Sequence, residues 1–376
     1  MTCAAAILLG GGVSSLRAQT PAPSLAQDVA RLGDLDYTRR TAAARVIRRA
    51  PAREATAALL DAVSKSPDEY VRFRAFVLLA GFNDPRIADV ARAMLGDRND
   101  RLREAAYDWF ERHPDPVMVP PLLAALETEG EEFVRPSLIR AVAVLDDDPR
   151  IRTALVREVG RGLDLFRGAV IEALGNRRAS YAVGALAGVA ALDGPLQDDA
   201  ALALGKIGGD AAVKVLSGIK PVGADAQMTV RLATCLADGH CEALRDEIVR
   251  EFSGAGSTIR PGSATVLMIL AERGDIKALA AMVEAAGTAG EDARRRLVIA
   301  LGSLALRQPA SLIAWLGANA ASRDAAVTLL REGFDLLQSD LAEESFYAAA
   351  RASYWQAPDG SDLRAVTAAL IDKLQF

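Results

Sequence analysis

Apolar positions recur along this chain at helical spacing. After Val71 they fall at Ala75, Leu78 and Leu79, and the run stops at Gly81 with Pro85 just beyond. One apolar face, ended by a glycine and then a proline, is the pattern of an amphipathic helix with a defined stop. Ile87, Val90, Ala91 and Leu95 repeat the spacing, which predicts a second helix across a short turn. No segment shows the alternating Val, Ile, Thr and aromatic pattern of a strand.

The predicted hairpin recurs. An acidic residue, any residue, an apolar residue and Arg occur at Glu69-Tyr70-Val71-Arg72, Asp100-Arg101-Leu102-Arg103, Glu132-Phe133-Val134-Arg135 and Asp164-Leu165-Phe166-Arg167. The arginines step by 31 (72 to 103), 32 (103 to 135) and 32 (135 to 167) residues. A fixed period of this length marks a solenoid. Each carboxylate is expected at a helix start, where free N–H groups and the macrodipole favour negative charge. A column of arginines at one repeat position is expected to bind carbonyls or carboxylates between neighbouring units. Leu174-Gly175, Leu204-Gly205 and Leu301-Gly302 place glycine after runs of helix formers, which predicts left-handed caps.

Further hairpins are expected over 37–50 with 53–63, then 228–252, 264–286, 294–316 and 325–341, with a last helix over 363–374. The fold class is therefore all-α, an α-solenoid of stacked antiparallel helical hairpins with a period of about 30–32 residues. Residues 24–376 form one solenoid domain, regular over 36–220 and divergent, with a C-terminal cap, over 221–376.

The succession seen in Val71-Arg72 and Ala173-Leu174-Gly175, apolar-Arg and then Ala-Leu-Gly before a polar turn and an apolar helix, resembles HEAT repeats. The resemblance is to the bacterial HEAT-like type first named from phycobilisome lyases, and it covers 36–220 well and the rest loosely. It implies a curved rod with extended surfaces. Such repeats serve many functions. A bilin-lyase-like factor acting on a tetrapyrrole and a partner cysteine, or another accessory to a HEAT-repeat enzyme, is one role the resemblance implies; a DNA-repair glycosylase is another.

Residues 1–16 carry no charge, 4–13 are apolar or glycine, and Ala18-Gln19 precedes Thr20-Pro21-Ala22-Pro23-Ser24. That order predicts a secretory signal peptide and linker over 1–23, hence an exported or periplasmic protein. The alternative is a cytoplasmic protein with an Ala/Gly-rich tail. The apolar run falls short of the roughly 20 residues a bilayer span needs.

With 44 Lys+Arg against 49 Asp+Glu, the net charge of −5 has the wrong sign for a nucleic-acid binder. Aromatics make up 5% of the chain, and Trp109, Trp315, Trp355, Phe73, Phe76 and Phe110 lie in apolar helical patterns that predict core positions. His113 and His240 are the only histidines, and neither is followed by Glu. Neither a His-Glu-x-x-His helix nor the His-Glu pairs of deoxyhypusine hydroxylase, a HEAT-repeat iron enzyme, can form. No nucleophile elbow, phosphate loop, dinucleotide fingerprint or Cys-x-x-Cys is present either. No catalytic, cofactor-binding or metal-binding residue is therefore assigned, and the expected role is a non-enzymatic scaffold for another protein. Asp146-Asp147-Asp148 is read as solvated turn charge.

Two features keep two readings each. Cys235 and Cys241 are either a local disulfide or a pair of partly buried thiols. Arg45, Arg48 and Arg49 lie on one side of a predicted helix, either as a basic face for a partner or as solvated arginines paired with neighbouring repeats.

Overall fold

The computed structural model describes residues 25–82, 84–192, 194–253, 260 and 262–374. The segment carrying the signal-peptide expectation lies outside the described residues. Among those residues the chain forms twenty-two α-helices and three 3₁₀ turns, with no strand. The fold is an all-α solenoid.

Local chemistry sets the helix starts. The Asp68 carboxylate accepts from the backbone N–H groups of Tyr70 and Val71 at 2.8 and 3.2 Å, and the helix Glu69–Ala80 begins there. Asn99 does the same for Arg101 and Leu102 ahead of Asp100–Arg112. Glu69 and Asp100 thus sit in the first turn, one place inside the cap. The third quartet departs from the expectation. Its helix starts at Arg135 with Pro136 in the first turn, where a missing N–H costs nothing, and Glu132 precedes the helix.

Inner helices stack in order: Asp100–Arg112, Arg135–Ala143, Asp164–Asn176, Leu196–Ile207 and Ala224–Asp238 each pack on the next. Their predicted glycine caps are not caps. Gly175 lies inside its helix, and a Cβ there would stand 2.7 Å from the Ala203 Cα. At Gly205 a Cβ would stand 2.6 Å from both the Cα and the carbonyl oxygen of Ala233. A Cβ on Gly302 would likewise stand 3.2 Å from the Gly333 Cα. These glycines let neighbouring backbones touch, which any side chain would prevent. Left-handed glycines close other helices instead, at Gly239 (φ 78°) and Gly274 (φ 93°).

Two apolar cores meet at the helix Ala224–Asp238. Ala233 belongs to the N-terminal core, whereas Met228, Leu232 and Leu236 belong to the C-terminal one. Phe73, Phe76, Trp109, Phe110 and Trp315 are buried as expected. Trp355 is not: it is 70% exposed near the end of Asp340–Gln356. The expected 325–341 hairpin is instead a single helix, Arg323–Leu337, which ends at a left-handed Gln338 (φ 47°) before the next helix, Asp340–Gln356.

The largest departure from an open curved rod is that the array closes on itself. The helix Glu69–Ala80 packs against Asp340–Gln356. Arg48 forms a buried ion pair with Glu344. Arg351 donates to the Gly81 carbonyl at 3.5 Å, and Arg307 reaches Glu172 at 3.4 Å, joining positions 270 and 135 residues apart. Gly81 makes room for the seam, since a Cβ there would stand 2.7 Å from a Glu344 carboxylate oxygen. Among the described residues no single helix is long and apolar enough to cross a membrane.

Candidate functional site

The repeated arginines act as staples. The Arg72 Nε donates to the Val63 carbonyl at 3.0 Å while its terminal nitrogen meets Asp97 at 2.6 Å. Arg103 takes the Asp97 carbonyl at 2.9 Å and Glu129 at 2.8 Å. Arg135 takes the carbonyls of Leu126 (3.0 Å) and Glu129 (2.6 Å) and the Glu158 carboxylate at 2.9 Å. In these three units one guanidinium fills orphan carbonyls in the last turn of the preceding outer helix or just after it, and reaches a carboxylate one unit on. Arg167 keeps the carbonyl contact, to Val159 at 3.0 Å, but its carboxylate is Asp164 of its own helix. The column is structural, as its constant register predicts.

The closed array surrounds a central cavity of 630 Å³. Its basic lining is Arg112, Arg140, Arg178, Lys206, Arg273 and Arg307, against the acidic Asp108, Glu111, Glu172 and Glu272. The lining therefore carries a surplus of two positive charges in a chain of net charge −5.

Pairing divides the six. Arg140 holds Asp108 at 2.7 Å and Glu111 at 2.9 Å; burial opposes its charge, but the two carboxylates outweigh burial and raise its proton affinity. Arg307 spans Glu172 and Glu272 at 3.4 and 3.5 Å. Lys206 donates to the Asn176 side-chain oxygen at 2.7 Å, and desolvation lowers its pKa. Arg112, Arg178 and Arg273 make no ion pair or side-chain hydrogen bond with any described residue. Burial lowers the pKa of Arg112, and burial together with the Arg178 charge lowers that of Arg273. All three are exposed to solvent, and together they give the cavity a basic wall that like-charge repulsion makes receptive to an anion.

A second cavity of 460 Å³ shares Glu172, Lys206 and Arg307 with the first and adds the apolar Leu165, Leu202 and Met268. It also holds Asp199, whose pKa is raised by burial and by the neighbouring Glu172 and Asp198. The lumen is thus basic in one chamber and mixed acidic and apolar in the other.

The arginines singled out in the sequence lie elsewhere. Arg48 is taken up by Glu344 in the seam, so it does not belong to a free basic face. Arg45 lines a 300 Å³ groove between Tyr37–Arg49 and Arg323–Leu337, and Arg49 is exposed. Cys235 and Cys241 are joined in a disulfide with Cα atoms 4.9 Å apart. Asp146 is not solvated turn charge: it is buried and accepts from Arg177 at 2.8 Å and Tyr181 at 3.3 Å, while Asp148 caps the next helix. The His113 ring stacks on Trp109 with centroids 4.3 Å apart, and its Nδ1 lies 3.0 Å from the Trp109 carbonyl. No cluster of three or more His, Cys, Asp or Glu among the described residues could hold a metal ion. Sequence reasoning missed Arg112, Arg178 and Arg273, because only ring closure brings them to one space.

A family model described as HEAT repeats matches residues 27–108 and 56–143. The match places HEAT-like repeats at the N-terminal end of the chain, over residues 27–143. No curated protein matches it. Among solved structures it is similar to the complex of CpcE and CpcF of phycocyanin lyase from Nostoc sp. PCC7120, at 18% identity and a TM-score of 0.35, over 68% of this chain and 98% of that one. It is also similar to a mutant of Kap121p, at 12% identity and a TM-score of 0.41, over 93% of this chain and 51% of that one. A third is the UNC-45 chaperone described as binding and folding muscle myosin, at 15% identity and a TM-score of 0.30, over 93% and 42% of the two chains. The fold assignment rests on the helices and the matched repeats, not on these partial overlaps.

Proposed function

We propose that this chain is a non-enzymatic scaffold that binds another protein on its closed repeat array, outside the cytoplasm. The observation that carries the reading is the lumen. Side chains from successive inner helices face one shared space, and three solvent-exposed guanidinium groups there have no carboxylate partner among the described residues. Export is supported by the uncharged apolar segment over 1–16 and by the Cys235–Cys241 disulfide, a bond that persists in oxidising compartments.

Crosslinking in the source cells, followed by affinity purification and mass spectrometry, tests both halves. A stoichiometric envelope protein crosslinked to several successive repeats is the expected result. Recovery of cytoplasmic proteins alone, on a chain that retains Met1, would overturn export. Recovery of a tetrapyrrole-binding protein that gains its pigment through this chain would replace the scaffold with a lyase-like role.

A further inference from the structure

Arg178 is in an unusual place. It follows the helix Asp164–Asn176 at the left-handed position of the closing turn, with φ 54°, and the N–H of Ala179 donates back to the Leu174 carbonyl at 3.0 Å. Two other helices close with the same bond across five residues. His240 donates to Cys235 at 3.1 Å and Asp275 to Leu270 at 3.0 Å, and there the left-handed residue is Gly239 or Gly274. Glycine takes that conformation without a steric cost, and arginine does not. Of the three turns closed by this bond among the described residues, this one alone holds a residue other than glycine in the strained conformation, which points to a use for the side chain.

That side chain reaches the cavity that also holds Arg273, from the turn after Ser263–Glu272, and Arg112, from the end of Asp100–Arg112. The three come from well-separated repeats, so no local packing requirement groups them. They remain unpaired although four carboxylates line the same cavity, because Arg140 and Arg307 occupy those carboxylates.

We propose that the lumen is a docking site for an acidic peptide segment of the partner protein, whose carboxylates pair with Arg112, Arg178 and Arg273. This rests on the scaffold reading above and names the chemistry of what the scaffold holds. A guanidinium presents a planar fork of donors that matches a carboxylate. The surplus positive charge of the lining, in a chain that is acidic as a whole, favours an anionic occupant there and repels one from the remaining surface. The second chamber, which continues from Lys206 and Arg307 past Leu165, Leu202 and Met268, extends the space beyond a compact anion and gives apolar side chains of a peptide somewhere to lie.

Fluorescence anisotropy of fluorescein-labelled hexaglutamate, titrated with the full chain at low salt, tests the proposal. Hexaglutamate is expected to bind, labelled hexalysine is not, and added salt weakens the complex. Arg178→Gly, which suits the turn, combined with Arg273→Gln is expected to weaken binding by about tenfold or more, from the loss of charge-assisted contacts. Arg98→Gln, at a side chain 87% exposed and paired with Glu69, leaves it unchanged. Equal binding by the Arg178→Gly/Arg273→Gln variant, or none by the parent chain, would overturn the assignment. So would displacement by inorganic pyrophosphate with no hexaglutamate affinity, which would make the lumen a small-oxyanion site. A native partner captured equally well by parent and variant would refute the lumen assignment and leave the scaffold standing. Lumen-dependent hexaglutamate binding without any protein partner in the cell would do the reverse.

Discussion

Arg48 and Glu344, 296 positions apart in the chain, form an ion pair in which the arginine side chain is 11% exposed and the glutamate 4%. The Arg48 guanidinium also lies 5.3 Å from the Tyr347 ring. This pair joins Tyr37–Arg49 to Asp340–Gln356, and it helps make a ring of what the repeats alone would leave as a rod.

Breaking such a pair leaves one buried charge uncompensated. Arg48→Met is therefore expected to lower stability by about 3–5 kcal/mol in urea denaturation. Adding Glu344→Leu should recover much of that loss, because two apolar side chains leave no orphan charge. Equal stability of Arg48→Met and the parent would show that the seam is not closed in solution.

The glycine contacts predict opposite signs for one substitution. Gly205→Ala drives a methyl into the backbone of Ala233 and should cost about 1–3 kcal/mol, as overpacking does. Gly188→Ala, on the exposed face of Val183–Ala190 with no atom within 4 Å of the added Cβ, should gain about 0.5–1 kcal/mol from helix propensity. Thermal melts of the two variants check the pair, and a stabilising Gly205→Ala would refute the close approach.

Arg178→Gly should stabilise the isolated chain by about 1 kcal/mol, since it removes the penalty of a left-handed arginine. The gain in a thermal melt and the loss of acidic-peptide binding are expected in the same variant, the usual exchange between stability and a strained functional site.

Glu104 titrates near neutrality. Burial, and then the Asp108 carboxylate, lift its pKa from the ordinary 4.5 to about 7, against the opposing pull of Arg140 and Arg101. Between those values the folded chain binds a proton that the unfolded chain has lost, so this group's contribution to stability falls as pH rises from about 4.5 to 7 and is level above. Glu104→Gln keeps the neutral form and should flatten that slope, raising stability relative to the parent at pH values above 7 and not below 4.5. Urea midpoints across that range decide it, and a parallel slope in the variant would assign the dependence to other groups.

Periodicity made much of this molecule legible. The staples at Arg72, Arg103 and Arg135 are readable because a stacked repeat presents each to the same carbonyls and to a carboxylate one unit on. Arg167 escapes the pattern because its carboxylate partner comes from its own helix. Gly175 and Gly205 were legible as glycines with a purpose but not as contact points, since a cap and a close approach leave the same letter after Leu. Asp146 looked like loop charge because its partners, Arg177 and Tyr181, lie 31 and 35 residues on. The candidate site was not legible at all. Arg112 ends one helix, Arg178 and Arg273 follow the ends of two others, and nothing in their spacing says that the two ends of the array meet.

Closure of the array around its lumen is tested most directly by a distance across the seam. Ala42 and Arg331 are exposed residues on opposite walls of one groove, on Tyr37–Arg49 and Arg323–Leu337. Nitroxide labels on Ala42→Cys and Arg331→Cys, read by double electron–electron resonance, should give a single short distance in the parent chain and a longer, broader distribution when Arg48→Met is added. A long, broad distribution in the parent would contradict the closed ring and, with it, the lumen on which the proposed function depends.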